Sequence, residues 1–394
     1  MICHTNYLFN LMISKKNIAI LGSTGSIGKS TLEVVRKNPE FFNIICLTAN
    51  KNVIDLAKQI NEFKPKYTYI DSADLVHDLK LKIINNKTKL ISSTKDLCDV
   101  LASYEIDSVV SAMSGSRGLF LTNHALIHNK QVLLANKESM VMAGPIFKKF
   151  KQNIIPVDSE HNSVFQLIDR SVDYVSNIVL TASGGPFRTL PNSEFKNITI
   201  DMALKHPNWS MGEKITIDSA TMMNKCLEII EAFYLFDFKS EDIGVLIHPE
   251  SIIHSIVNFL DGSSLCQFSE PNMQIPISYA LAYPQRICSG RSSYNLADKN
   301  LTFLKPDMKK FPSISFAYNA LKTSANHCLV MNAANEIAVE NFLKQKISFI
   351  DIFNVILDSF NIPNNEVIDN IDEILYTDEL YRSKINKILN KYAF

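Results

Sequence analysis

Two acids stand two residues apart in I-I-P-V-D-S-E-H-N, Asp158 and Glu160, at the end of a short apolar run that reads as a buried strand. In extended backbone, residues two apart point to one side, so both carboxylates converge there. Converging carboxylates are costly unless a cation joins them, and oxygen donors suit Mg2+ or Mn2+ rather than zinc. The alternative is a pair of solvated loop acids. T-M-M-N-K-C-L-E-I-I-E-A-F (221–233) supplies a candidate third ligand, Glu228, with Lys225 and Glu231 as helical neighbours three residues to either side. Ser219, just upstream, together with Asn224 and Lys225 outlines an anion site for a substrate phosphate. A capping serine beside a surface ion pair fits the same three residues.

A second group concerns phosphate at the other end of the chain. In I-L-G-S-T-G-S-I-G-K-S (20–30), Gly22, Gly25 and Gly28 follow an apolar run at 17–21 and precede an amphipathic stretch at 27–37. Strand, glycine turn and helix leave backbone N–H groups free at a helix N-terminus, which favours an anion. Thr24 and Ser26 add hydroxyl donors. The spacing differs from the common G-x-G-x-x-G, and a tight turn without ligand remains the other reading. About twenty residues on, a second apolar run ends in Asn50, Lys51 and Asn52. A cation where NAD enzymes carry an acid favours NADP, with a solvated loop lysine as the alternative.

Three loops complete the inventory. T-A-S-G-G-P-F-R (181–188) places Ser183 and two glycines after a strand. H-P-N-W-S-M-G (206–212) holds the only tryptophan, Trp209, between His206 and Met211. An aromatic loop with hinge-type residues suits a lid over a polar substrate, or a loop packed on its own domain. L-L-A-N-K-E-S (133–139) offers Asn136, Lys137 and Glu138 at a strand end.

The elements that must position these residues follow from pattern. Short apolar runs at 67–70, 108–112, 131–134 and 154–157 alternate with helical patterns, the signal of a parallel doubly wound sheet. Beyond Val157, strand-like runs at 178–182, 214–217, 245–248, 255–259 and 265–268 surround one strong helix at 221–236, as in an α+β domain. Residues 287–312 lack long apolar periodicity and read as a linker; helical patterns dominate from 313. The expected division is 1–157, 158–286, 287–312 and 313–394. At 394 residues the chain can build two or three cores. Forty basic and forty acidic residues argue against a field for nucleic acid or acidic membranes. Seven scattered cysteines without a C-x-x-C pair suit a reducing compartment, and no apolar run approaches the ~20 residues of a membrane span. The expectation is a cytoplasmic protein with neither nucleic-acid nor membrane partner.

Taken together, I-L-G-S-T-G-S-I-G-K-S-T-L-E-V-V, L-L-A-N-K-E-S, P-V-D-S-E-H-N, S-G-G-P-F-R, H-P-N-W-S-M-G, D-S-A-T-M-M-N-K, I-H-P-E-S-I-I-H-S and N-A-A-N-E-I resemble one family, 1-deoxy-D-xylulose 5-phosphate reductoisomerase. The resemblance runs from residue 18 to about 337. It implies an α/β chain: an N-terminal doubly wound (Rossmann-type) NADPH-binding domain, a central α+β catalytic and dimerisation domain, a linker and a C-terminal helical bundle. It implies NADPH, a divalent metal (Mg2+ or Mn2+, with Co2+ as a further alternative), a small sugar phosphate as substrate, and a homodimer. Residue by residue, Thr24, Gly25, Ser26, Ile27, Asn50, Lys51, Asn52, Asn136, Glu138 and Gly212 match cofactor contacts. Asp158, Glu160 and Glu228 match metal ligands. Lys137, Ser159, Glu160, Ser183, His206, Trp209, Met211, Ser219, Asn224, Lys225 and Glu228 match substrate contacts, with Lys137, Asp158, Glu160, Glu228 and His206 as the catalytic set. The implied reaction is a retro-aldol and aldol rearrangement followed by hydride delivery. Asn50 stands where the family pattern has glycine, as do Ala182 and Cys226, and S-A-M-S-G-S-R-G-L (111–119) also departs from it. None of these changes removes a charge or hydroxyl. Two other classes compete: a semialdehyde-type dehydrogenase, which needs a cysteine nucleophile in a recognisable motif, and a catalytically dead NADPH sensor, which needs no acidic ligands.

Overall fold

The computed structural model describes residues 15–84, 87–113, 115, 117–205, 209, 212–297, 299–363 and 367–394. The chain runs β1 (Lys16–Leu21), α1 (Ser26–Lys37), β2 (Phe42–Ala49), α2 (Val53–Phe63), β3 (Tyr67–Ile70), α3 (Val76–Lys82) and β4 (Lys89–Ile91). It continues α4 (Thr94–Ala102), β5 (Ser108–Ser111), α5 (Arg117–Ile127), β6 (Gln131–Leu134), α6 (Lys137–Phe147), β7 (Ile154–Pro156), α7 (Ser159–Ile168) and β8 (Val175–Ala182). Then come α8 (Ile200–Ala203), α9 (Glu213–Ala220), α10 (Met223–Phe236), β9 (Ile243–Ile247), β10 (Ile253–Phe259), β11 (Ser264–Phe268) and α11 (Gln274–Ala282). The last four helices are α12 (Ser313–Thr323), α13 (Ala325–Leu343), α14 (Phe349–Ser359) and α15 (Ile371–Leu389).

Two compact units emerge. The first comprises residues 1–136, 152–158 and 272–293, and the second residues 137–151, 159–271 and 294–394. In the first, seven parallel strands lie in the order β4-β3-β2-β1-β5-β6-β7. Ile18, Ala19, Ile20 and Leu21 of the central strand are fully buried, as a sheet covered on both faces requires. The order reverses direction between β1 and β5, the switch point at which open α/β sheets bind ligands. In the second unit β11-β10-β8-β9 form a mixed sheet, with β10 antiparallel to β8 and β11, and β8 parallel to β9. Helices α12 to α15 form the C-terminal bundle, with α13 packed on α12, α14 and α15 and also on α6. The fold class is therefore the expected one: a Rossmann-type sheet, an α+β part and a helical bundle.

Two local expectations fail. Residues 214–217 are not a strand but the opening of α9. The alternation in K-I-T-I suggests extended chain, yet Thr216, Ile217, Asp218 and Ala220 are buried, and Thr216, Ile217 and Ala220 keep helical spacing. The second concerns the acids: β7 ends at Pro156 and α7 begins at Ser159, so Glu160 lies in a helix's first turn rather than on extended backbone. A carboxylate there is favoured by the helix dipole. The structure also adds β4, too short at three residues to show a period.

Candidate functional site

In the first unit the glycine turn is shaped by close approach. Gly22 has φ +83, and a Cβ there would stand 2.7 Å from the Ala112 carbonyl oxygen after β5. At Gly28 an added Cβ would lie 2.4 Å from the Gly22 oxygen, so α1 can start this close to β1 only without a side chain. The turn is tied to the second strand and to α2. Thr48 Oγ1 accepts from Gly22 N–H at 2.9 Å, and Ser23 Oγ donates to Gln59 Oε1 at 2.7 Å. Gly25 caps α1 with no side-chain hydrogen bond and no acid in the first turn, leaving an anion-attracting N-terminus. Asn50, Lys51 and Asn52 are exposed just past β2, where Asn52 caps α2 by accepting from Asp55 N–H at 3.0 Å. Asn136 is 3% exposed; its Nδ2 donates to the Gly115 carbonyl at 3.0 Å, while its Oδ1 is buried without a partner among the described residues.

In the second unit the charged residues converge. Lys137, at the start of α6, donates to Asn224 Oδ1 at 2.8 Å and Glu228 Oε1 at 3.1 Å. Lys225 Nζ meets Glu160 Oε1 at 2.8 Å and also bonds Glu228 Oε2, while Asn224 Nδ2 bonds Glu228 Oε1. Ser159 Oγ donates to Glu160 Oε2 at 2.5 Å. Glu228 is fully buried and Lys225 is 2% exposed. Burial works against the Lys225 ammonium, but Glu160 and Glu228 outweigh it and raise its pKa. Removing one partner of such a buried pair costs about 3–5 kcal/mol. His161 ties the two acid-bearing helices together: its Nε2 meets the Glu228 carbonyl oxygen at 2.8 Å and its Nδ1 the Glu231 carboxylate at 3.2 Å.

Asp158 immediately precedes Ser159, so the start of α7 carries it with Glu160. Oxygens of Asp158, Glu160 and Glu228 lie within 4.8 Å of one another. Three carboxylates and no sulfur or nitrogen form a donor set that fits a hard divalent cation such as Mg2+ or Mn2+. Ser183 follows β8 in a loop whose Gly184 and Gly185 have positive φ. A Cβ on Gly185 would stand 2.7 Å from the Ser219 carbonyl oxygen, so this loop is seated against the end of α9. Ser219 and Asn224 are half-buried, as is Trp209. Gly212 caps α9 and is exposed. His206 and Met211 lie outside the described residues.

Sequence reasoning missed Lys214, which donates to Glu138 Oε1 at 2.8 Å and pairs with Asp218 Oδ2 at 2.8 Å. The signal was present, a lysine and an aspartate four apart, but it has meaning only on a helix.

Residues 18–144 match the family model of 1-deoxy-D-xylulose 5-phosphate reductoisomerase, and residues 154–236 and 268–384 match models of its C-terminal domains. The protein of that name from Ruthia magnifica is 43% identical over 383 residues, covering 96% of this chain and 100% of its own. The chain belongs to the 1-deoxy-D-xylulose 5-phosphate reductoisomerase family. It is an enzyme, an NADP-dependent oxidoreductase that converts 1-deoxy-D-xylulose 5-phosphate into 2-C-methyl-D-erythritol 4-phosphate with NADPH and a divalent metal. The Chlorobaculum tepidum reductoisomerase is 47% identical over 343 residues, 86% of this chain and 90% of that one. Among solved structures, the Zymomonas mobilis reductoisomerase in complex with NADPH is 38% identical with a TM-score of 0.89, over 95% of this chain and 99% of that one. A reductoisomerase in complex with NADPH, fosmidomycin and magnesium is also 38% identical, with a TM-score of 0.88 over 95% and 98%. The reductoisomerase residues present here fit both groups. The side-chain-free cradle at Gly22 and Gly28 and the unpartnered Asn136 Oδ1 suit a dinucleotide, and the carboxylates suit a hard cation.

Proposed function

We propose that Asp158, Glu160 and Glu228 hold the metal, Mg2+ or Mn2+ with Co2+ as an alternative, and that Lys137, Ser159, Asn224 and Lys225 bind substrate beside it. The observation that carries this reading is the convergence of two buried lysines on buried Glu228 and on Glu160. Bound there, a divalent ion supplies Lewis acidity and a template for substrate oxygens, and NADPH supplies hydride. The chain's own part is binding and orientation. Asn224, Lys225, Ser183 and Ser219 offer an ammonium, an amide and two hydroxyls to a phosphate, around the loop that Gly185 seats on Ser219. Lys137 presents its ammonium to the reacting end, held by Asn224 and Glu228 until substrate arrives. His206, Trp209 and Met211 are proposed as a loop that covers the substrate and excludes water.

For NADPH, Thr24, Gly25, Ser26 and Ile27 are proposed for the pyrophosphate, Asn50, Lys51 and Asn52 for the 2′-phosphate side, and Asn136, Glu138 and Gly212 as further contacts. The division 1–157 for cofactor, 158–286 for catalysis and dimerisation, 287–312 as linker and 313–394 as bracing helices is part of the same proposal. A homodimer is supported by β11, an edge strand with Leu265 and Phe268 exposed, which a second copy would cover. A cytoplasmic site is supported by the free cysteines among the described residues. Separately, no described helix is long and apolar enough to cross a membrane.

The test follows NADPH absorbance with 1-deoxy-D-xylulose 5-phosphate after chelation. Verified metal-free enzyme stays folded and inactive, and recovers with Mg2+ or Mn2+. Full turnover without metal would overturn the ligand assignment.

A further inference from the structure

Helix α6 opens with two charged residues that go to different places. Lys137 reaches α10, whereas Glu138 is held by Lys214 Nζ at 2.8 Å. Lys214 lies two residues after Gly212, the N-cap of α9. Its ammonium also meets Asp218 Oδ2 at 2.8 Å, one turn along the same helix. Asp218 is 1% exposed, and its Oδ1 accepts from Asn335 Nδ2 at 2.8 Å. Asn335 sits in the N-A-A-N-E-I stretch on α13, fully buried, with its own Oδ1 unpartnered among the described residues. Glu336 adds a further negative charge facing Lys214 and pairs with Arg382 of α15 at 2.5 Å.

The charges act in one direction. Burial opposes the Lys214 ammonium, but Asp218, Glu138 and Glu336 outweigh it and push its pKa up. Burial also opposes the Glu138 carboxylate, and Lys214 outweighs that, holding it below the usual carboxylate range. Both groups are therefore ionised at neutral pH and locked together. Aliphatic packing between α6, α9 and α13 would give equal or greater stability than buried charges. What packing would not give is a fixed direction for one carboxylate. Asn335 likewise leaves an acceptor unsatisfied, at a cost of about 1–3 kcal/mol, while keeping its bond to Asp218.

We propose that Lys214, braced by Asp218 and Asn335, is a positioning residue for the nicotinamide cofactor, fixing the Glu138 carboxylate and the Gly212 end of α9 relative to each other. The proposal rests on reading Glu138 and Gly212 as cofactor contacts. The partners of Lys214, Glu138 and Asp218, belong to neither the proposed metal ligands nor the proposed substrate contacts.

The test uses the full enzyme and reads NADPH affinity directly, by titrating cofactor fluorescence without substrate. Lys214→Met is expected to weaken NADPH about tenfold, the scale of one charge-assisted hydrogen bond. KM for the sugar phosphate and half-saturating Mg2+ should stay within about twofold. Lys214→Arg should restore most of the affinity, and Asn335→Leu should weaken it in the same direction by less. Glu138→Gln should match Lys214→Met, with no further loss in the double variant. Lower thermal stability with unchanged NADPH affinity in Lys214→Met and Asn335→Leu would make the network merely structural and overturn the proposal. If in addition Glu138→Gln weakens NADPH, the cofactor reading of Glu138 stands alone. Loss in Lys214→Met without loss in Glu138→Gln would overturn both that reading and positioning through Glu138. Should Lys214→Met fail to fold, Asn335→Leu and Lys214→Arg carry the same comparison.

Discussion

Replacing Glu228 by glutamine keeps the side chain's shape and removes one charge from the buried cluster. Glu160 and Glu228 pair with Lys137 and Lys225, and with Asp158 beside the two glutamates the formal charges sum to an excess of one negative charge. A divalent ion turns that into one positive charge; in Glu228→Gln the same ion would raise it to two. Two unit charges about 4 Å apart at an effective dielectric of about 20 interact by about 4 kcal/mol, so a divalent ion loses about twice that in gross attraction. Regained hydration offsets most of the loss. If a third survives, about 2.7 kcal/mol, half-saturating Mg2+ rises about a hundredfold. The fold should persist, because Lys225 keeps Glu160 at 2.8 Å and Lys137 keeps Asn224 at 2.8 Å. The assay is turnover against Mg2+ concentration, with Mn2+ binding by calorimetry and thermal unfolding as controls. A folded variant whose half-saturating Mg2+ and calorimetric Mn2+ affinity both stay within about twofold of wild type would refute the charge argument and remove Glu228 from the ligand set.

Lys51→Glu places an acid on the exposed turn after β2, between Asn50 and Asn52 in the chain. The wild type is expected to prefer NADPH over NADH by at least about tenfold in kcat/KM, about 1.4 kcal/mol, and the variant to narrow or reverse that; equal use of both cofactors by the wild type would sink the assignment. His327 gives a pH signature: burial lowers its pKa, against an opposing hydrogen bond to the Phe360 backbone. The unfolded chain then takes up a proton below about pH 6.5 that the folded chain does not. Stability should fall as pH drops from about 6.5 towards the lower folded value, and His327→Gln should flatten that slope in urea unfolding. An unchanged slope in the variant would discard the reasoning.

Much of this enzyme was legible in the sequence, because its signals are local. Residues 67–70 and 131–134 are strands with the expected bounds, since a short buried run needs little context beyond its own hydrophobicity. Glycines 22, 25 and 28 predicted a turn into a helix, and at Gly22 and Gly28 only a missing Cβ permits the approach. Lys225 and Glu228 were expected as neighbours because helical spacing alone brings them together. What tertiary structure decided is everything that depends on a partner far along the chain. K-I-T-I fits strand and helix equally over four residues, and burial of Thr216, Ile217 and Ala220 chose the helix. That choice alone makes Lys214 and Asp218 partners, and it sets Lys214 against Glu138, 76 residues away, and Asp218 against Asn335, 117 residues away. Lys137 meets Asn224 across 87 residues. No periodicity records such pairs, because the free energy that selects them comes from burying charges against one another, and burial exists only once the helices have packed.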